Sequence, residues 1–154
     1  MPDSSTDPLS SVDPVILERL PHRPPFLFVE RILEESDGHI ITEWNVPTDL
    51  FCFKGHYPGN PILPGVLIQE HTFQSGALMI YAGSDSKEEP GTPVLTKVES
   101  ARFRRIVKPG TKLTTEVNLV ERLANARVCT GVVRSDGNVI ARLAFVLALA
   151  EEAP

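Results

Sequence analysis

The sequence predicts an α+β domain in which an antiparallel sheet of about six strands wraps one long, buried helix. Three observations carry that prediction. The segment Gly65–Tyr81 reads as a helix whose apolar residues run almost fully round it, the mark of a helix buried on most sides. From Val94 onward the chain reads as four strands separated by turn signals. No strand–helix–strand alternation occurs, which argues against a parallel sheet.

In chain order, residues 1–12 are rich in Ser, Asp and Pro and are expected to form a disordered tail ahead of a single domain over 13–154. Asp13-Pro14 is a helix-start signal: an acceptor side chain, then proline at the first helical position. A short helix from Val15 to Leu20 should stop before Pro21. Phe26–Leu33 and His39–Val46 are β-rich runs joined by Asp37-Gly38, a tight hairpin turn. Between Gly55 and Pro64, five of ten residues are proline or glycine. Residues 47–64 should therefore form an irregular but stiff loop, because each proline fixes its own φ and restricts its predecessor. The helix Gly65–Tyr81 follows, with Gly83 as its stop and Ser84–Pro93 as a polar connection. The four strands are Val94–Val107, Lys112–Glu121, Ala126–Arg134 and Val139–Leu149. They break at Pro109-Gly110, around Leu123–Asn125 and at Asp136-Gly137.

Composition narrows the function. The chain has 154 residues, 42% of them apolar, enough for one domain with a real core. A formal charge of −5 argues against a general nucleic-acid binder, which needs a broad basic surface. Cys52 and Cys129 lie far apart, so neither a disulfide framework nor zinc spacing is present and a reducing compartment fits. The acidic, polar start MPDSSTDPLSS has no apolar run of the secretory kind, so a cytoplasmic location is expected. Gln69, Glu70, His71 and Gln74 interrupt the apolar stretch Ile62–Ala82, which favours a buried core helix over a membrane span.

The segment Gly55–Glu70, GHYPGNPILPGVLIQE, carries the chemistry. His56 sits in the proline-stiffened loop, a helix begins just after it at Pro64-Gly65, and Glu70 lies inside that otherwise apolar helix. A histidine is the natural base near pH 7. A carboxyl on a buried helix face is expected to lose solvent, raising its pKa and keeping it protonated as an acid. The free N–H groups of a helix start can hold a developing oxyanion. Together these parts suit removal of a proton α to a carbonyl and expulsion of a β-hydroxyl. Against this stand the ordinary roles of such residues: a loop histidine is usually structural and a helix glutamate usually solvated. Gln74, four residues on, shares a face with Glu70.

The same segment resembles the signature of the β-hydroxyacyl-acyl-carrier-protein dehydratases of type II fatty-acid synthesis. LPHRPPFLFVERI (Leu20–Ile32) and ARFRRIVKPGTKL (Ala101–Leu113) resemble two further motifs of that family, in the same order. The glutamate is like that of the FabZ-type branch; the dehydratase-isomerase branch has aspartate. The resemblance implies a hotdog fold, with His56 and Glu70 as the catalytic pair, Gly65 as the backbone donor to the thioester carbonyl and Gln74 supporting the acid. It implies no metal and no cofactor beyond the phosphopantetheine of acyl carrier protein, which carries the substrate. It also implies a homodimer or trimer of dimers, in which the histidine of one subunit meets the acid of the other. The family usually has small residues after the acid; here the run is Glu70-His71-Thr72-Phe73-Gln74. Phe73 could then narrow or redirect the acyl tunnel. His71 points about 100° away from Glu70 and suits packing or an interface.

Other candidates are weaker. His22 and Arg23 are read as structural and His39 as an exposed strand residue. A metal held by His56, Glu70 and His71 has no supporting spacing, and no glycine-rich phosphate loop occurs. Lys97, Arg102, Arg104, Arg105, Lys108 and Lys112 stand against Glu99 alone between Pro93 and Leu113. That cluster is either a solvated face or a dock for an acidic carrier protein, with Arg102, Arg104, Arg105 and Lys108 as its core. Two rival readings keep the fold and change the activity. One is a hotdog thioesterase, the other a non-catalytic acyl-carrier-binding protein.

Overall fold

A computed structural model describes residues 7–82 and 91–150. A six-stranded, wholly antiparallel sheet in the order β1-β2-β4-β5-β6-β3 curls around one eighteen-residue helix, α2 (Gly65–Ala82). The strands are β1 (Arg31–Ser36), β2 (His39–Asn45), β3 (Thr92–Phe103), β4 (Lys112–Leu123), β5 (Ala126–Ser135) and β6 (Asn138–Ala150). Register shifts in β1, β3, β4 and β6 supply the local bends that let a sheet wrap a helix. Gly38, with φ of +77°, makes the β1–β2 turn as its sequence requires. Among the described residues no helix is long and apolar enough to cross a membrane.

The helix buries almost every side. Its inward residues include Leu67, Ile68, Phe73, Leu78, Met79 and Ile80, but also His71, Thr72, Gln74 and Ser75. Those polar groups are paired, as burial demands. Thr72 Oγ1 donates to Ile68 O at 2.8 Å, and Ser75 Oγ lies 2.7 Å from Thr42 Oγ1. The expected helix stop at Gly83, and most of the polar connection after it, lie outside the described residues.

Several boundaries differ from expectation. Residues 8–11, expected to lie in the tail, form turns: Asp7 Oδ1 accepts the Leu9 N–H at 3.0 Å, and Val12 is buried. The first helix, α1, spans Pro14–Arg19, with Pro14 in its first turn. Asp13 gives it no side-chain cap, because its carboxylate instead accepts the Ile32 N–H at 3.0 Å and ties α1 to β1. The run Phe26–Leu33 becomes strand only from Arg31, since the backbone of Phe26 and Phe28 bonds to side chains of α2. The loop at 47–64 contains a 3₁₀ turn, Phe51–Lys54. The strand expected over Val94–Val107 ends at Phe103: Arg104 N–H goes to Ile140 O, and Val107 O accepts the Leu63 N–H at 2.8 Å, fastening that loop.

Candidate active site

His56 follows the 3₁₀ turn, its N–H bonded to Cys52 O at 2.9 Å. Its Nδ1 lies 2.7 Å from Ile62 O, and its ring stacks on Tyr57 with centroids 4.2 Å apart. A carbonyl oxygen only accepts, so Nδ1 carries the hydrogen and Nε2 of the neutral ring keeps the free lone pair. The stiff loop thus fixes both the ring and the tautomer.

Gly65 opens α2 a few residues later. The first helical N–H groups have no intrahelical acceptor, and no acidic side chain in the first turn offsets their partial positive charge. A Cβ on Gly65 would sit 3.2 Å from Phe103 Cζ, so glycine lets the β3 ring lie close to the helix start.

Glu70 stands one and a half turns further along, where burial is incomplete. Its side chain is 25% exposed, so the expectation of a carboxyl enclosed by apolar groups does not hold in the single subunit. Glu70 precedes the stretch from His71 onward that the sheet covers fully. Gln74 Nε2 donates to Glu70 Oε1 at 3.1 Å and also to Phe26 O at 3.1 Å, while Gln74 Oε1 accepts the Phe28 N–H at 2.8 Å. Backbone partners on both sides fix which end of the amide faces the acid.

Glu70 heads a groove of about 220 Å³ walled by His22, Phe73, Gln74, Ala77, Pro93, Val94, Leu95 and Leu147. Phe73 packs on Phe145 with centroids 4.9 Å apart and forms an apolar wall of this groove. His22 Nε2 lies 3.7 Å from Glu70 Oε1, too long for a hydrogen bond, and its Nδ1 is buried without a partner. Burial lowers the His22 pKa, with Glu70 opposing that shift and Arg23 adding to it, so His22 is neutral at pH 7. Reading His22 as purely structural missed its place beside the acid; the signal available was its position in the motif at Leu20–Ile32. Arg23 is structural, donating to the carbonyls of Leu17, Leu20 and His22.

The structure brings Gln74 to Glu70 but does not pair His56 with Glu70 inside one chain. His56 bonds to Ile62, whereas Glu70 meets Gln74 and His22. His71 is fully buried between Phe28 O and Thr115 Oγ1, as a packing residue would be. His39 is half-buried rather than exposed, 3.1 Å from Glu116 Oε1, because β4 runs beside it. Arg102, Arg104, Arg105 and Lys108 are all exposed, on the end of β3 and the loop after it. Lys97 and Lys112 instead face Glu99 and Glu43 at 3.4 and 4.0 Å. Among the described residues no group of three or more His, Cys, Asp or Glu side chains is placed to hold a metal ion.

Comparison with known proteins identifies the family and the fold. The family model described as a FabA-like domain matches residues 20–144. A 3-hydroxyacyl-[acyl-carrier-protein] dehydratase FabZ of Anaeromyxobacter sp. (strain K) is 38% identical over 138 residues, 88% of each chain. The protein of the same name from Campylobacter jejuni (strain RM1221) is 36% identical over 129 residues, 82% of this chain and 88% of the relative. Among solved structures, the dehydratase heterocomplex ApeI:P from Xenorhabdus doucetiae superposes with a TM-score of 0.75 at 20% identity, covering 89% of this chain and 91% of that one. A Streptococcus mutans UA159 protein bound to acetyl CoA gives 0.63 at 17% identity, covering 87% and 97%. At such identities these structures show the fold alone, the hotdog arrangement of a sheet around a central helix. The family match covers residues 20–144, well over half of the sequence, and the chain therefore belongs to the FabA-like family.

Proposed function

We propose that this chain removes water from 3-hydroxyacyl thioesters carried on acyl carrier protein, as in type II fatty-acid synthesis, with His56 of one subunit as base and Glu70 of its partner as acid. The observation that carries the reading is complementary readiness. His56 has its lone pair free on Nε2, Glu70 is oriented by Gln74 at the head of an apolar groove, and neither is used up by the other within one chain. The relatives named FabZ, matched over most of their length, support the same chemistry.

His56 Nε2 takes the α-proton of the thioester. The Gly65 N–H, at the positive end of α2, holds the developing enolate oxygen. Glu70 Oε1 faces the Gln74 N–H, so a proton on the acid belongs on Oε2, from which it passes to the departing hydroxyl and leaves as water. One proton then returns from the imidazolium to the carboxylate to reset the pair. The acyl chain lies along the groove, where Phe73 and Leu147 form apolar walls and limit its course.

Assembly completes the site. β3 is an edge strand with Val94, Leu95 and Val98 exposed, a surface suited to pairing with a second copy. Exposed Arg102, Arg104, Arg105 and Lys108 give the acidic carrier and its phosphopantetheine phosphate a cationic landing site. The reading is tested by incubating the protein with 3-hydroxyacyl thioesters of several lengths and following enoyl formation. Hydrolysis to free acid without enoyl product would overturn it.

A further inference from the structure

We infer that His71 is a positioning residue for the acid: it pins the Phe26–Phe28 backbone, which in turn holds the Gln74 amide in the orientation that serves Glu70. The inference rests on the proposal that Glu70 is the acid. His71 is fully buried against Trp44, ring centroids 5.5 Å apart. Its Nδ1 lies 2.6 Å from Phe28 O and its Nε2 lies 2.7 Å from Thr115 Oγ1. Phe28 O can only accept, so Nδ1 bears the hydrogen; in the neutral ring Nε2 then accepts from the Thr115 hydroxyl. Burial, opposed by the Phe28 bond, lowers the pKa to about 4 and keeps this tautomer neutral across the working range.

Phe28 is the hinge of the relay. Its carbonyl goes to His71 and its N–H to Gln74 Oε1, two residues three apart on one face of α2. The Gln74 Nε2 group is then directed at Phe26 O and Glu70 Oε1. Without a donor at position 71, the buried Phe28 carbonyl loses its partner, and the segment must shift to find another. The Gln74 amide is then free to turn and present oxygen to oxygen at Glu70. Distances along the chain, from Thr115 Oγ1 to Glu70, are all 3.1 Å or less.

The test uses the full-length protein and a 3-hydroxyacyl thioester. Asparagine places Nδ2 where His71 has Nδ1, whereas leucine has no donor. H71L should lower kcat about 10- to 100-fold with KM little changed, as expected for a misplaced catalytic group. H71N should recover most of that loss. Because the effect passes through Gln74, adding H71L to Q74L should cost little beyond Q74L alone. H71A replaces H71L in the series if the leucine variant does not fold. A folded H71L or H71A with wild-type kcat, equal losses in H71N and H71L, or losses that multiply in the double variant would each overturn the inference. A wild-type protein that forms no enoyl product overturns the proposed function instead, and this inference with it.

Discussion

In the proposed mechanism His56 and Glu70 carry different protons, and their removal should show it. General acid and base groups typically contribute ~10²–10⁴-fold each. His56→Ala should nearly abolish enoyl formation in a protein whose circular dichroism is unchanged. Glu70→Gln keeps the Gln74 contact but has no proton to give, so it should lose most of kcat while binding substrate as well as wild type does. Substantial turnover by a folded Glu70→Gln protein would remove the acid from this residue, and His71 cannot take its place, since both its nitrogens are engaged in the core. His71 also makes stability depend on pH. Its pKa falls from 6.5 in the unfolded chain to about 4 in the fold, so the unfolded state binds the extra proton first. The stability is complete above the unfolded value, declines as pH falls from 6.5 toward 4, and declines no further below that. Linkage puts the loss from this residue at ~2 kcal/mol by about pH 5. Urea unfolding at neutral pH and at about pH 5 should show a shallower decline in His71→Asn than in wild type.

At the scale of elements, the helix and the four C-terminal strands were legible because period and turn residues act locally. Gly65–Ala82 and the strands from Lys112 onward fall within a few residues of expectation. Phe26–Glu30 was not legible: its β-rich composition suits a strand, but its partners are the side chains of His71 and Gln74, more than forty residues away in sequence. Close packing of sheet on helix gives a sharp stability test. A Cβ at Gly131 on β5 would meet Thr72 Cγ2 at 2.5 Å, and Thr72 is held by its bond to Ile68 O. Gly131→Ala should therefore destabilise the fold by ~1–3 kcal/mol, read as a lower thermal midpoint. The cationic end of β3 calls for a kinetic test. Changing Arg102, Arg104 and Lys108 together to glutamate should reduce turnover of carrier-bound substrate far more than that of a small thioester analogue. The wild-type rate on the carrier substrate should also fall with added salt. Equal losses on both substrates would remove the docking role.

At the scale of the whole molecule, the proposed sharing of the site between subunits predicts complementation. Subunits bearing His56→Ala, mixed and refolded with subunits bearing Glu70→Gln, form heterodimers in which one of two sites has both groups intact. Random mixing should restore roughly a quarter of wild-type activity, whereas a site built within one chain restores none. Sedimentation at micromolar concentration should likewise give a dimer or larger. The sequence by itself determined the fold class, the positions of α2 and the C-terminal strands, and the candidate residues of the proposed site. The elements follow from local period and turn residues, and the candidates from the resemblance of the Gly55–Glu70 segment to a known family. Only the tertiary structure decided which lone pair of His56 is free, that His22 stands beside Glu70, and that Phe28 links His71 to Gln74. Those depend on backbone carbonyls and N–H groups, which every residue carries and which therefore leave no mark in the sequence.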